Sequence, residues 1–357
     1  MTEGLPLTVG PYEPVAELAI GGMARVLVAK QTGLAGFERQ VALKLMRPEL
    51  ADDDDYATMF LDEARIASRI QHPNVVTILD VGRDDRTQIL YMAMELVLGA
   101  TVSQMLRLRR PIPTNVVLEL IAQSADGLDA AHRATTASGA PLELVHRDVS
   151  PANLLVGFDG VVRVSDFGIA RAAERMTKTT AGQFKGKLEY CAPEQALGHA
   201  VDRRTDLFGL GIVAWELFAG DRLFAGPTPF KTLDAVLHLE IPPVTRMREG
   251  IPEEAAKMIH ALLQRDVSSR PSRAAKVAEV LRRAAASAGL EPPHQALRDW
   301  ARRAASEMAL RLAGLPTDDM DTLDEALDEE RQTLVSEPPP GMSDEPETRV
   351  GRRQTKG

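Results

Sequence analysis

Residues 206–219 are apolar nearly all round, relieved chiefly by Asp206 and Glu216. A helix of that kind has no face to give to water, so it belongs at the centre of a domain with other elements wrapped around it. At this length, with Glu216 inside it, the segment falls short of the ~18 uninterrupted apolar residues that a membrane span needs. The 357 residues and 44% hydrophobic content allow one large core or two moderate ones.

What precedes that helix has a different texture. Residues 15–45 and 76–97 are rich in Val, Ile and Leu and broken by glycines, which predicts short strands, and residues 55–69 between them read as a helix. After Gly99 the spacing turns helical, clearest over residues 115–132. The fold class is therefore α+β, with a small β-rich lobe followed by a larger α-helical lobe and a short connection near residues 95–99. The expected boundaries are a leader over residues 1–12, the first lobe over 13–97 and the second over 98–285. A helical extension over 286–316 has Leu297, Trp300, Ala304 and Met308 on one side. The tail, residues 317–357, is acidic, low in aromatics and carries Pro338-Pro339-Pro340, a composition expected to be disordered.

Charge and cysteine content narrow the function classes. The formal charge is −9, of which the 12 acidic and 5 basic side chains of residues 317–357 supply −7 and leave −2 for the body. A nearly neutral body argues against a nucleic-acid partner. The single cysteine, Cys191, excludes an intramolecular disulfide and a cysteine metal cage. The start, Met-Thr-Glu-Gly-Leu-Pro, has neither the basic nor the apolar region of a signal peptide. A cytoplasmic setting without a membrane partner is the expectation.

Several polar residues stand where burial is expected. Glu63 shares a helical stripe with Phe60, Ala67 and Ile70, and Lys44 ends the strand Val41-Ala42-Leu43-Lys44. Each buried charge needs a partner. They could pair inside a cleft, or each could reach water separately, and spacing alone leaves both open. Residues 154–164 read as a β-hairpin: Leu154-Leu155-Val156, the turn Gly157-Phe158-Asp159-Gly160, then Val161, Val162 and Val164. Antiparallel pairing sets Asn153, before one strand, beside Ser165 and Asp166, after the other. Two oxygen ligands at the base of a rigid ribbon suit Mg²⁺, which takes its remaining ligands from phosphate and water. Asp148 lies five residues earlier in a loop, close enough to act on a group beside the metal. The segment Leu18-Ala19-Ile20-Gly21-Gly22-Met23-Ala24-Arg25-Val26 has small residues between two strands, which let a backbone approach a phosphate.

In this order the residues resemble the eukaryotic-type protein kinase family, particularly its bacterial Ser/Thr members. Val41-Ala42-Leu43-Lys44 is similar to the lysine strand and Glu63 to its helix partner. His146-Arg147-Asp148 with Asn153 resembles the catalytic loop, Asp166-Phe167-Gly168 the metal-binding triplet, and Ala192-Pro193-Glu194 the close of the activation segment. Asp206 and Gly211 match the central helix, and Arg270 the arginine that pairs with Glu194. The resemblance covers about residues 13–285. It implies ATP with Mg²⁺ or Mn²⁺ as cofactors and Ser/Thr hydroxyls of proteins as acceptors. Lys44, oriented by Glu63, would hold the α- and β-phosphates. Asp166 and Asn153 would bind metal, and Asp148 would accept the hydroxyl proton. Adenine would lie between Leu18, Val26 and Ala42 above and Leu155 below, bonding the backbone at Glu95 and Val97, with Met94 as gatekeeper and Ala19, Gly21 and Gly22 over the phosphates. Pro151 after the catalytic Asp resembles Ser/Thr rather than Tyr kinases. Arg147 would dock a phosphorylated Thr177, Thr179 or Thr180, which self-association could phosphorylate in trans.

The chain departs from the family in three places. Ala19 and Ala24 stand where glycines are usual, at a cost of about 1 kcal/mol or more if φ must be positive there. Ser150 stands in place of a lysine that touches the γ-phosphate, and Lys187 in place of a threonine. The resemblance implies that Lys187 could supply the charge missing at Ser150. The alternative reading is a pseudokinase, a nucleotide-binding signalling scaffold without turnover.

Overall fold

The computed structural model of the chain describes residues 8–21, 23–33, 36–50, 54–136, 138–167 and 188–312. Residues 1–306 form one compact unit and residues 307–357 a second, of which only the last turns of one helix are described. Among the described residues no helix is long and apolar enough to cross a membrane.

The first lobe is a five-stranded antiparallel sheet in the order β1-β2-β3-β5-β4. Its strands are β1 (Tyr12–Ile20), β2 (Ala24–Thr32), β3 (Glu38–Met46), β4 (Ile78–Arg83) and β5 (Leu90–Glu95), with α1 (Asp54–Ala67) between β3 and β4. The period of two sorts each strand's side chains onto two faces. On β3, Val41, Leu43 and Leu45 join a cluster with Tyr12, Leu27 and Tyr91. Ala42 and Met46 face the other way, into a cluster with Phe60 and Ala64 of α1. Lys44 lies between Ala42 and Met46 on that second face, so alternation alone aims its ammonium at α1.

Asp84, in the β4–β5 turn, is only 4% exposed. It accepts the amide of Gly10 at 2.9 Å and the amide and hydroxyl of Thr87 at 2.7 and 2.8 Å. The Gly10 and Thr87 bonds push its pKa down to about 2. A folded pKa below the unfolded one gives stability that is present above the ordinary carboxylate range and lost as pH falls through about 2. Asp84→Asn should therefore be less stable than wild type at neutral pH, and the gap should close on acidification through that window, as read by urea unfolding at a series of pH values.

The connection enters β6 (Gly99–Thr101), which pairs with β7 (Leu154–Gly157) and β8 (Val162–Val164) in a three-stranded sheet. A Cβ at Gly99 would stand 2.0 Å from the Val156 carbonyl oxygen, so only glycine lets the chain pass there. Among the described residues the helices that follow are α2 (Val102–Arg107), α3 (Thr114–His132), α4 (Pro193–Ala196), α5 (Arg203–Ala219), α6 (Pro229–His238), α7 (Val244–Met247), α8 (Glu253–Leu262), α9 (Ala274–Ser287) and α10 (His294–Leu312). As its composition demanded, α5 is central, with every residue from Thr205 to Phe218 buried. Asp202 caps its first turn through the Arg204 amide, and Gly220, at φ 71°, ends it. Leu297, Trp300, Ala301 and Ala304 of α10 are buried in the same core as α3 and α5, so the amphipathic stripe of the extension packs on its own domain.

Candidate active site

Alternation on β3 and helical spacing on α1 converge on one ion pair. Lys44 Nζ is 2.7 Å from Glu63 Oε1 and 2.9 Å from Asp166 Oδ1. Glu63 is buried, as are Phe60, Ala67 and Ile70 of its stripe. Burial opposes the ammonium's charge, but the carboxylates of Asp166 and Glu63 outweigh it and raise the Lys44 pKa above the ordinary lysine range. The lysine is thus a fixed cation between a carboxylate of the first lobe and one of the second.

The β7–β8 hairpin places the second group. Its register is Leu154 with Val164, Leu155 with Arg163 and Val156 with Val162. At its base the Ser165 amide donates to the Asn153 carbonyl at 2.9 Å, which brings Asn153 and Asp166 to one end, as pairing about the turn predicts. Asn153 Nδ2 donates to both the carbonyl and Oδ2 of Asp148, each at 2.8 Å. Those two bonds leave the Asn153 side-chain oxygen to serve as a ligand. One amide oxygen and one carboxylate fit a divalent ion that takes its other ligands from phosphate and water.

The loop that carries His146, Arg147 and Asp148 is held by a buried carboxylate. Asp206 accepts the amides of His146 and Arg147 at 2.8 and 2.7 Å, and His132 Nε2 lies 2.7 Å from the same carboxylate. His146 in turn bonds the Ser165 carbonyl through Nε2 at 2.9 Å, and its ring lies 4.7 Å from that of Phe167. Two non-glycine residues here have positive φ, Arg147 at 66° and Asp166 at 54°, a conformation that persists where surroundings over-determine it. The position of Asp206 at the start of the central helix does not by itself reveal this role. Its signal was present all the same, since a carboxylate opening an otherwise apolar helix needs donors.

Of the residues expected around the base, five share one cluster and Leu18 stands outside it. Ala42 and Met94 are buried in it, and Val26, Val97 and Leu155 pack against it. Leu18 is 53% exposed and falls in a register shift of the β1–β2 ladder between Glu17 and Ala19. Ala19 pairs with Val26, and the Gly21 amide donates to the Ala24 carbonyl at 2.8 Å. Neither Ala19 nor Ala24 has a positive φ, so their methyl groups carry no backbone penalty. The Glu95 amide is taken by the Thr77 carbonyl at 2.9 Å.

Beyond Phe167 the described residues resume at Leu188. Gly22, Thr177, Thr179, Thr180 and Lys187 lie outside them. Ser150, where the family has lysine, is fully buried. Glu194 receives a fork from Arg270, at 2.7 and 2.8 Å, and the Thr205 hydroxyl at 2.7 Å. Burial works against the Glu194 charge, yet the Arg270 bonds hold its pKa below the usual carboxylate range. Gln195, which carries no motif signal, donates to the Arg147 carbonyl and accepts the Ala192 amide, both at 3.1 Å, and so joins α4 to the loop of Asp148.

Comparison with known proteins gives a consistent result. The family model described as the protein kinase domain matches residues 12–283. The tyrosine-protein kinase MasK of Myxococcus xanthus is 42% identical over 266 residues, 73% of this chain and 40% of that one. The serine/threonine-protein kinase PrkC of Bacillus subtilis is 32% identical over 250 residues, 70% and 37% of the two chains. For the serine/threonine-protein kinase PknA of Mycobacterium tuberculosis the figures are 31% over 287 residues, 80% and 63%. The chain thus spans less than two thirds of the length of these relatives. Among solved structures, the kinase domain of PknI from M. tuberculosis superimposes with a TM-score of 0.57 at 28% identity, covering 78% of this chain and 97% of that domain.

Proposed function

This chain belongs to the eukaryotic-type protein kinase family as a member of its bacterial branch, and from that premise we propose that it transfers the γ-phosphate of ATP to Ser or Thr hydroxyls of proteins. The observation that carries the reading is the Lys44 ammonium set 2.7 and 2.9 Å from Glu63 and Asp166. It supports a cleft ready for a triphosphate, with Lys44 neutralising phosphate oxygens while Glu63 fixes its direction. Mg²⁺ or Mn²⁺ on Asp166 and Asn153 would supply electrophilic stabilisation of the transferring group. Asp148, oriented by Asn153 Nδ2, would align the acceptor hydroxyl and take its proton. Val26, Ala42, Met94, Val97 and Leu155 would enclose the base. Arg147 would dock a phosphate on Thr177, Thr179 or Thr180, placed there by a second copy of the chain. Lys187 would stand in for the lysine replaced at Ser150, and a cytoplasmic setting fits the substrate class.

The name of MasK gives a specific reason to consider tyrosine as acceptor. Incubating the full chain with labelled ATP, Mg²⁺ or Mn²⁺ and a basic protein, then hydrolysing the product, separates the cases. Label on phosphoserine or phosphothreonine is expected. Phosphotyrosine alone would replace the acceptor class, and nucleotide binding without any label would leave a scaffold.

A further inference from the structure

Arg163 joins parts of the molecule that the sequence keeps apart. It stands on β8 directly across from Leu155 on β7, so the two side chains share one face of the hairpin. Leu155 packs against the cluster of Ala42 and Met94 that Leu96 and Val97 of the interlobe connection also pack against. The Arg163 guanidinium takes the Asp159 carboxylate in a fork, at 3.2 and 2.7 Å. Its Nε lies 3.6 Å from Glu95 Oε2. The other Glu95 oxygen accepts the Thr77 amide at 2.8 Å. Two backbone ties run alongside: the Phe158 amide donates to the Leu98 carbonyl at 2.8 Å, and Gly99 pairs with Gly157.

The far side of the same turn is held by α10. Arg298 Nε donates to the Asp159 carbonyl at 3.2 Å. Gly160, at φ 78°, runs so close to the start of α10 that a Cβ would stand 3.0 Å from the His294 carbonyl oxygen. The turn is therefore clamped between the connection and a helix that lies beyond residue 283, where the family match ends. An exposed pair such as Lys257 with Glu253 contributes little. With its side chain 16% exposed and its planar fork fully engaged, Arg163 is a different case.

We propose that Arg163 is a positioning residue for the nucleotide: it holds Glu95, and with it the base-binding connection, against the floor formed by Leu155, while α10 keeps the hairpin turn where that hold is possible. This rests on the kinase reading above, because it specifies how the base site of that reading is kept in register.

Calorimetric titration of the full chain with Mg·ATP tests it, using wild type, Arg163→Ala, Arg163→Lys, Glu95→Gln and the double variant Arg163→Ala with Glu95→Gln. Arg163→Ala should raise the dissociation constant about three- to tenfold, with kcat at saturating ATP altered by less than about twofold. Arg163→Lys, a single point charge, should recover part of the affinity. The double variant should bind no more weakly than Arg163→Ala, because the tie is already gone. Unchanged affinity in Arg163→Ala, or losses that simply multiply in the double variant, overturn the proposal. Failure of wild type to bind Mg·ATP removes the kinase reading itself, and this inference with it. Should Arg163→Ala not fold, Arg298→Ala carries the test: it loses one exposed hydrogen bond and should weaken binding about twofold, and no change there overturns the proposal.

Discussion

Asp148→Asn should lower kcat for phosphoryl transfer by about 10²- to 10⁴-fold, the range that a positioned general base supplies, while the affinity for Mg·ATP changes little. The substitution is chosen for what it preserves. Asn153 Nδ2 donates to Asp148 Oδ2 and to the Asp148 carbonyl, and an asparagine at 148 keeps an oxygen to accept the first of these and leaves the second untouched. The loop above it stays anchored, since Asp206 grips the amides of His146 and Arg147 rather than any group of Asp148. What is lost is the negative charge that, on the proposed reading, aligns an acceptor hydroxyl and takes its proton. Rates at saturating ATP and protein substrate, with thermal unfolding as the control for folding, check the result. Turnover within tenfold of wild type would remove Asp148 from the base role. A fall in ATP affinity matching the fall in rate would show that the variant had disturbed the nucleotide cleft instead.

The parts of this arrangement that were legible in the sequence are those fixed by local periodicity. Lys44 and Glu63 could be brought face to face because a period of two on β3 and of 3.6 on α1 each turned a charge inward. Only the fold itself, which sets β3 against α1, decides for a pair over two separate charges. The β7–β8 hairpin was legible because its turn residues set its register, and the register fixed where Asn153 and Asp166 meet. The centrality of α5 followed from its composition. Illegible were contacts between side chains far apart in sequence whose partners are single backbone groups. Asp206 with the amides of His146 and Arg147, and Gln195 with the Arg147 carbonyl, have no periodic signature. The glycine-poor loop stays open in the sequence for a related reason: backbone dihedrals at Ala19 and Ala24 depend on strand pairing across β1 and β2, and pairing leaves both in ordinary conformations. Segment by segment the sequence also gave no way to see that α10 presses on the hairpin turn, because its stripe said only that some apolar surface would cover it.

Arg270→Met should destabilise the helical lobe by about 3–5 kcal/mol, the cost of leaving one member of a buried ion pair without its partner. The Arg270 side chain is fully buried and Glu194 nearly so. The fork between them, at 2.7 and 2.8 Å, is supplemented by Arg270 donating to the carbonyls of Gln264, Arg204 and Arg265. Its guanidinium carbon also lies 4.8 Å from the centre of the Phe208 ring on α5. Methionine roughly conserves volume, so the loss reports polar groups stranded in the core more than a cavity. Lysine is not a conservative choice here, as it cannot reproduce the fork. Adding Glu194→Gln should return part of the lost stability, because the charge stranded by the first substitution is then gone, and that non-additivity is the signature of a coupled pair. The pH dependence has a definite sign. Arg270 holds the Glu194 pKa below the ordinary range, so the pair's contribution is full above that range and fades as acid protonates the carboxylate in the folded state. The gap between wild type and Arg270→Met should accordingly narrow on acidification, whereas a gap due only to lost packing would not move with pH. Urea unfolding at neutral and acid pH distinguishes the two. A loss below about 1 kcal/mol, the worth of an exposed pair, would mean that Glu194 finds water or another donor once Arg270 is gone, and that α4 is held to the helical lobe by its other contacts.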